Sequence, residues 1–264
     1  MIRLVAFDLD GTFLSSFNKY NRPRFKKVFD QLKAQGIKVV AISGNRYYRM
    51  AKIFKDYLDD MIFVADNGAL IWNKGQVIHQ NTFDAESMER LLAEYHYPGM
   101  SLSGLNTSYI EQEVPFTQRL ILKFFLGPIR RVPSFSPLPE DEFVKLSFRV
   151  KNQDTVALTK EINQRLEGHA HATHSGWGTI DIVPTGISKQ SALAFLGDRF
   201  GIEPDQMMVF GDGGNDIHML EYAGHSYAMA NASDRVKAAA KAVAPSNKED
   251  GVLQVLEDFL TSSQ

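Results

Sequence analysis

The chain of 264 residues contains no cysteine. Disulfides, thiolate nucleophiles and cysteine-held metal ions are therefore excluded, which suits a reducing compartment. Any metal must sit on oxygen or imidazole. Excess charge is missing too: 29 Lys and Arg stand against 31 Asp and Glu, a formal net charge of -2, so no nucleic-acid partner is expected. No window approaches the roughly 18 uncharged apolar residues of a membrane span, and Asp8 and Asp10 interrupt the apolar start before it resembles a signal peptide. The expectation is a cytoplasmic protein without a membrane partner. Internal repeats and low-complexity tracts are absent as well. With 44% hydrophobic and 23% charged residues, the composition is that of a globular chain long enough for one large or two moderate domains.

What is present begins with VAFDLDGTFL, residues 5–14. Ile2, Leu4, Val5, Ala6 and Phe7 read as a buried β-strand that ends in two carboxylates, Asp8 and Asp10, and then Gly11. Two carboxylates ~4 Å apart at an effective dielectric of ~20 repel by roughly 4 kcal/mol. A metal ion, or a proton held on one of them, must offset the pairing. A solvated acidic turn is the plain alternative, since Asp and Gly are ordinary turn formers.

Further along, Phe25, Val28, Phe29 and Leu32 recur at helical spacing between Pro23 and Gly36, and IKVVAI, 37–42, reads as a second buried strand. Strand, helix, strand implies a right-handed crossover and a parallel sheet. The far end repeats the pattern, with SALAFLGDRF as helix, MMVF at 207–210 as strand and NDIHMLEYAG as helix. The middle differs in texture. A helix with Met88, Leu91, Leu92 and Tyr95 on one face precedes a segment holding Pro128, Pro133, Pro137 and Pro139; then come the strand FVKLSFRV, a helix with Ile162 and Leu166, and the strand TIDIV. Lacking strict βα alternation, residues 83–183 are expected to form an α+β insert in an α/β core made of 1–82 and 184–264.

A second strand end repeats the acidic pattern. VFGDGGNDIHML, 209–220, runs into Asp212, Gly213 and Gly214, then Asn215 and Asp216 at a helix start. Ligands of open parallel sheets gather at the carboxyl ends of the strands, so Asp8, Asp10 and Asp212 converge if their strands are neighbours. Hard oxygen ligands without Cys or clustered His favour Mg²⁺ over Zn²⁺. The strand VVAI runs into Ser43-Gly44-Asn45, a hydroxyl and free amides that suit an anion, and Lys189 opens the helix before the last acidic strand, where it serves as an ion-pair partner or neutralises a phosphoryl group. An EF-hand is excluded, because aligning Gly11 with its invariant glycine puts Ala6 and Phe17 at ligand positions. No GxxxxGK[ST] P-loop occurs.

Taken in order, DLDGT, SGN, a Lys opening a helix and GDGGND resemble the four motifs of the haloacid dehalogenase superfamily of phosphohydrolases. The large insert between the second and third is similar to its Cof-type branch (subfamily IIB), with a C2 cap. YNRPRF, SGNRYY, ADNGALIW, SGWGTIDIVPTGISK, AMANA and NKEDG look especially like the bacterial sugar phosphatases of that branch. The resemblance implies a Rossmann-like doubly wound core with an inserted α+β cap, and Mg²⁺-dependent hydrolysis of a small phosphate monoester, a sugar phosphate above all. It implies Asp8 as nucleophile and Asp10 as general acid and base, held protonated. Mg²⁺ would sit on Asp8, the Asp10 backbone carbonyl and Asp212, with Asp216 holding a metal-bound water or orienting Lys189. Ser43, Gly44, Lys189 and Asn215 would neutralise the phosphoryl oxygens. Much of the branch carries Thr-Gly-Arg where this chain has Ser43-Gly44-Asn45 followed by Arg46. Candidate leaving-group contacts are therefore Asn45 and Arg46 from the core, with His174, Trp177 and Asp181 from the insert. A dehalogenase needs no second acid, so Asp10 favours phosphoester chemistry. Pyridoxal phosphate or flavin mononucleotide as substrate, a phosphomutase, and a non-catalytic module of the same fold are the alternatives; oligomeric state has no signal.

Overall fold

The computed structural model describes residues 1–16, 18–166, 168–174 and 178–262. The chain begins with β1 (Leu4–Phe7), α1 (Arg22–Ala34), β2 (Lys38–Ile42), α2 (Tyr47–Ile53), β3 (Ile62–Ala65), β4 (Leu70–Asn73) and β5 (Gln76–Gln80). It crosses to a second sheet with α3 (Ala85–Glu94), β6 (Ser101–Gly104), β7 (Ser108–Glu111), α4 (Phe116–Leu126), β8 (Ile129–Val132), β9 (Phe143–Arg149), α5 (Thr155–Arg165), β10 (Ala170–His174) and β11 (Thr179–Pro184). It returns with α6 (Lys189–Phe200), β12 (Met207–Gly211), α7 (Ile217–Tyr222), β13 (His225–Met229), α8 (Asp234–Ala239), β14 (Ala242–Ala244) and α9 (Gly251–Ser262).

The first sheet has eight strands in the order β14-β13-β12-β1-β2-β3-β4-β5. β14 through β3 run parallel, and β4 and β5 extend the edge antiparallel. Its central strands β1, β2, β3 and β12 are apolar on both faces, as a parallel sheet covered by helices on both sides requires. Val5 and Phe7 enter one core with Phe25 and Leu32 of α1 and Leu253 and Leu256 of α9; Leu4 and Ala6 enter the other with Leu193 and Leu196 of α6 and Leu220 of α7. The amphipathic spacing read for α1 is thus its core face, and Asn21 caps it by accepting from the Arg24 amide at 3.2 Å.

The second sheet has six strands in the order β10-β11-β9-β6-β7-β8. Leu102, Leu146, Phe148, Ile180 and Ile182 pack on Met88 and Leu91 of α3 and Ile162 of α5. The other face is polar: Ser101 pairs across the ladder with Ser147, and Ser147 with Asp181, while Ser103 pairs with Lys145. All five are nevertheless buried, because this face lies against the carboxyl edge of the first sheet. The proline-rich segment holds a strand that composition alone does not suggest. β8 is bracketed by Pro128 and Pro133 and pairs in parallel with β7 at the edge of the sheet, where flanking prolines cost no ladder bonds.

Candidate active site

β1 lies between β12 and β2, in register with both, so Asp8, Asp212 and Ser43 emerge side by side at three adjacent strand ends. The Asp8 amide extends the ladder by donating to the Phe210 carbonyl at 3.0 Å. Lys189 is the first residue of α6, fixed there by a reciprocal cap in which Ser188 Oγ accepts from the Ser191 amide at 3.0 Å and Ser191 Oγ accepts from the Ser188 amide at 2.9 Å. From that position Nζ donates to Asp8 Oδ1 and to Asp216 Oδ1, each at 2.6 Å, with its side chain 0% exposed. The other oxygen of Asp216 accepts from the amides of Asp212 and Gly213 at 2.9 and 2.8 Å. Among the described residues Asp8 Oδ2 accepts no hydrogen bond and remains available to a ligand.

Three carboxylates, of Asp8, Asp212 and Asp216, bring ligand oxygens within 4.8 Å of one another. Lys189 is the cation among them. Burial pulls its ammonium down, but the charges of Asp216 and Asp8 outweigh that and hold it above its usual value. Burial raises the Asp8 carboxyl well above the carboxylate range; Lys189 opposes this, and Asp216 and Asp212 add to it. Asp212 is pushed up to about 7, by burial first and then by Asp216, despite a 2.6 Å hydrogen bond from Thr12 Oγ1. The cluster therefore holds more negative charge than Lys189 neutralises. Gly11 (φ +86°) makes room for it: a Cβ there would fall 2.2 Å from Asp212 Oδ2. This all-oxygen, under-neutralised set fits a hard divalent cation.

Comparison with known proteins decides the family. The family model for haloacid dehalogenase-like hydrolases matches residues 5–256. The chain belongs to the haloacid dehalogenase-like hydrolases. It is a phosphatase of that family, 34% identical over 263 residues to a 5-amino-6-(5-phospho-D-ribitylamino)uracil phosphatase of Escherichia coli, covering 98% of this chain and 96% of that one. A solved Streptococcus mutans protein superposes with a TM-score of 0.94 at 37% identity, over 99% of this chain and 100% of that one. A solved subclass IIB sugar phosphatase of the superfamily shares the fold with a TM-score of 0.79 at 23% identity, over 97% and 98% of the two chains. No helix among the described residues of the phosphatase is long and apolar enough to cross a membrane.

The expected residues fall into three groups. Asp8, Ser43, Lys189, Asp212 and Asp216 converge at the strand ends. Asp10 stands apart: its side chain does not join the carboxylate cluster. Arg49 Nη2 donates to Asp10 Oδ1 at 2.6 Å and Nη1 to Oδ2, while Asn45 Nδ2 donates to Oδ2 at 2.7 Å. Both Asp10 oxygens thus accept hydrogen bonds from α2 and the loop before it. The same Asn45 amide group reaches Ser43 Oγ at 2.7 Å, so Asn45 ties the second acid to the hydroxyl.

The third group lies where the two sheets meet. Asn215 Nδ2 donates to Asn67 Oδ1 at 3.0 Å, and Asn67 Nδ2 donates to Asp181 Oδ2 at 2.9 Å. Gly44 passes close beneath this pair: a Cβ there would be crowded, 3.0 Å from Asn67 Oδ1 and 3.3 Å from Asp181 Oδ2. Arg46 is buried and committed to protein partners, Asp66 Oδ2 at 3.1 Å and the Gly104 carbonyl. His174 sets its Nε2 against Gly214 and lines a cavity of about 120 Å³ with Asn163, His171, Lys189, Asn215 and Arg235. Burial, then the nearby Arg235, lowers its imidazole. Trp177 lies outside the described residues.

Arg49, Asp66, Asn67 and Lys145 are site residues that sequence reasoning missed. Arg49 stands i+4 from Asn45, a helical spacing that could have flagged it. Lys145 and Ser147 alternate with Val144, Leu146 and Phe148 in the strand FVKLSFRV, a pattern that could have been read as a polar inner face.

Proposed function

We propose that this phosphatase hydrolyses small phosphate monoesters, sugar phosphates above all, with Mg²⁺ and through an aspartyl-phosphate. In this reading residues 1–82 and 184–264 form the catalytic core and 83–183 the cap. The observation that carries it is the bridge from Lys189 to Asp8 and Asp216, which orients Asp8 beside a hydroxyl and an under-neutralised acid cluster. Asp8 Oδ2 attacks phosphorus as the ester oxygen leaves, and Asp10 gives that oxygen a proton. For this Asp10 must enter the step protonated, with one oxygen yielded by Arg49, and the proton it gives up is replaced by the one it later takes from water. Water then attacks phosphorus, Asp10 takes its proton, and the Asp8 carboxylate and inorganic phosphate are released. Ser43 Oγ, the Gly44 amide, Lys189 and Asn215 receive the phosphoryl oxygens. Asp8, Asp212 and the Asp10 carbonyl would hold Mg²⁺, which supplies positive charge to the phosphoryl group. Asp216, with both oxygens already bonded, serves to orient Lys189 and the loop amides.

The polar roof of Ser147, Asp181 and Asn67 supports a leaving group rich in hydroxyls. The name of the E. coli relative describes a ribityl 5-phosphate joined to a heterocycle, a polyol ester that the same roof would suit. The test is phosphate release from a panel of hexose, pentose and ribityl phosphates, flavin mononucleotide and pyridoxal phosphate, with and without Mg²⁺. Turnover of hexose phosphates well above the others supports the sugar reading. Preference for the ribityl or cofactor esters selects the second, and undiminished turnover in excess chelator removes the metal role.

A further inference from the structure

Three successive carbonyls of the loop after β2 are each held by a donor. Ser43 O accepts from the Asn67 amide at 3.1 Å and Asn45 O from the Asp66 amide at 3.0 Å, both from the turn after β3 of the same sheet. Gly44 O, between them, accepts instead from Lys145 Nζ of β9, at 2.5 Å. The middle carbonyl alone among these three depends on the other sheet. The Gly44 carbonyl and the Asn45 amide belong to one planar peptide group, so fixing one edge fixes the other. That other edge donates to Ser43 Oγ at 3.2 Å.

The charges around Lys145 explain why it can be buried there. Its ammonium lies 3.0 Å from Asp66 Oδ1, while Arg46 takes Asp66 Oδ2. Burial pulls that ammonium down, but Asp181 and Asp66 outweigh it and hold it above its usual value. A register shift between Ser103 and Gly104 on the neighbouring strand β6 lets the Gly104 carbonyl meet Arg46. Two cations and two carboxylates thus balance. The ion pair with Asp66 ties the sheets by charge, whereas the directed hydrogen bond of Lys145 goes to Gly44.

We propose that Lys145 is a positioning residue for phosphoryl binding: docking of the six-stranded sheet seats its ammonium on the Gly44 carbonyl and thereby sets the Ser43–Gly44–Asn45 loop in its phosphate-receiving geometry. This rests on the assignment of that loop to the phosphate. The cradle is then complete only when the two sheets meet, which would keep water from an aspartyl-phosphate whose site stands open.

Lys145→Met tests this, with inorganic phosphate and nitrophenyl phosphate as probes that lack sugar hydroxyls. Misplacing a binding loop by about 1 Å costs on the order of 10²-fold. The expected result is a loss of about 10- to 100-fold in kcat/KM, similar for nitrophenyl phosphate and a hexose phosphate. In calorimetry with Mg²⁺, affinity for inorganic phosphate should weaken in parallel, although Lys145 does not touch the anion. Lys145→Arg, which keeps a cationic donor, should recover part of both. Lys145→Gln, which keeps a neutral one, replaces Met if that variant does not fold. A folded variant with unchanged phosphate affinity, or a loss confined to sugar esters, overturns the proposal. Because calorimetry needs no turnover, a parent enzyme inactive on every monoester would fail the functional assignment while leaving the coupling of Lys145 to phosphate affinity measurable.

Discussion

The two sheets bury comparable strands in opposite ways. In the centre of the eight-stranded sheet both faces are apolar, and the polar groups of the site appear where the strands stop: Asp8, Ser43 and Asp212 each follow the last residue of a buried strand. In the six-stranded sheet one face is apolar and the other carries Ser101, Ser103, Lys145, Ser147 and Asp181, all buried. Strand ends can gather charge because backbone amides and helix starts there are free to bond it. A polar face within a sheet has no such supply, since its backbone is already paired. It must be satisfied side chain by side chain, as Ser147 and Asn67 do for Asp181 at 2.6 and 2.9 Å. In the proposed function, reaction chemistry therefore belongs to an edge, and the groups that would read a substrate to a face.

The largest break in this comparison is expected at the edge. Asp8→Asn should abolish turnover while the fold persists, because Asn keeps the shape and loses the nucleophile; near-normal phosphate release, after deamidation is excluded by mass, would mean the nucleophile is another residue. On the face side, Asp66→Ala leaves Arg46 and Lys145 buried without their shared carboxylate. Breaking such a pair costs about 3–5 kcal/mol, which chemical denaturation would register. A loss below ~1 kcal/mol would show that the seam is solvated in solution.

The metal should distinguish the two sheets by pH. Asp212 is raised from 3.8 to about 7, so its contribution to metal-free stability is present below its unfolded value and is lost as pH rises through about 7. A divalent cation takes the place of that proton. Mg²⁺ should accordingly raise the melting temperature more at ~pH 8 than at ~pH 6, and an equal increment at both would remove Asp212 from the metal set. Smallest of all should be Ser103→Ala. Among the described residues Ser103 Oγ is buried without a partner, so removing it should change stability by no more than about 0.5 kcal/mol in either direction, and a gain is the expected sign.

Much of the edge is legible in consecutive residues. The apolar runs of β1, β2 and β12 are unbroken because both faces are covered, and each stops at a chemical residue. The i, i+3, i+4 spacing of α1 has a local cause, its single core face. The hidden strand β8 lies among prolines that argue against it, and its pairing with β7 at the sheet edge removes the conflict. Asp10 is more instructive. DLDG implies that its charge has to be offset, and the guanidinium that meets it in the fold, Arg49 of α2, lies 39 residues away.

What the sequence by itself determined is which polar residues follow buried strands, Asp8, Ser43 and Asp212, and which stand at helix starts, Lys189 and Asp216. Local periodicity and the position of polar residues at strand ends are written along the chain, so they survive without a partner in view. The tertiary structure alone decided how the remaining charges pair. Arg46 with Asp66 and Gly104, Lys145 with Gly44, and Asn215 with Asp181 through Asn67 join segments far apart in the chain. Such pairs leave no repeating pattern, because each depends on the angle at which two sheets meet and on one register shift, between Ser103 and Gly104, that directs a carbonyl at a buried guanidinium.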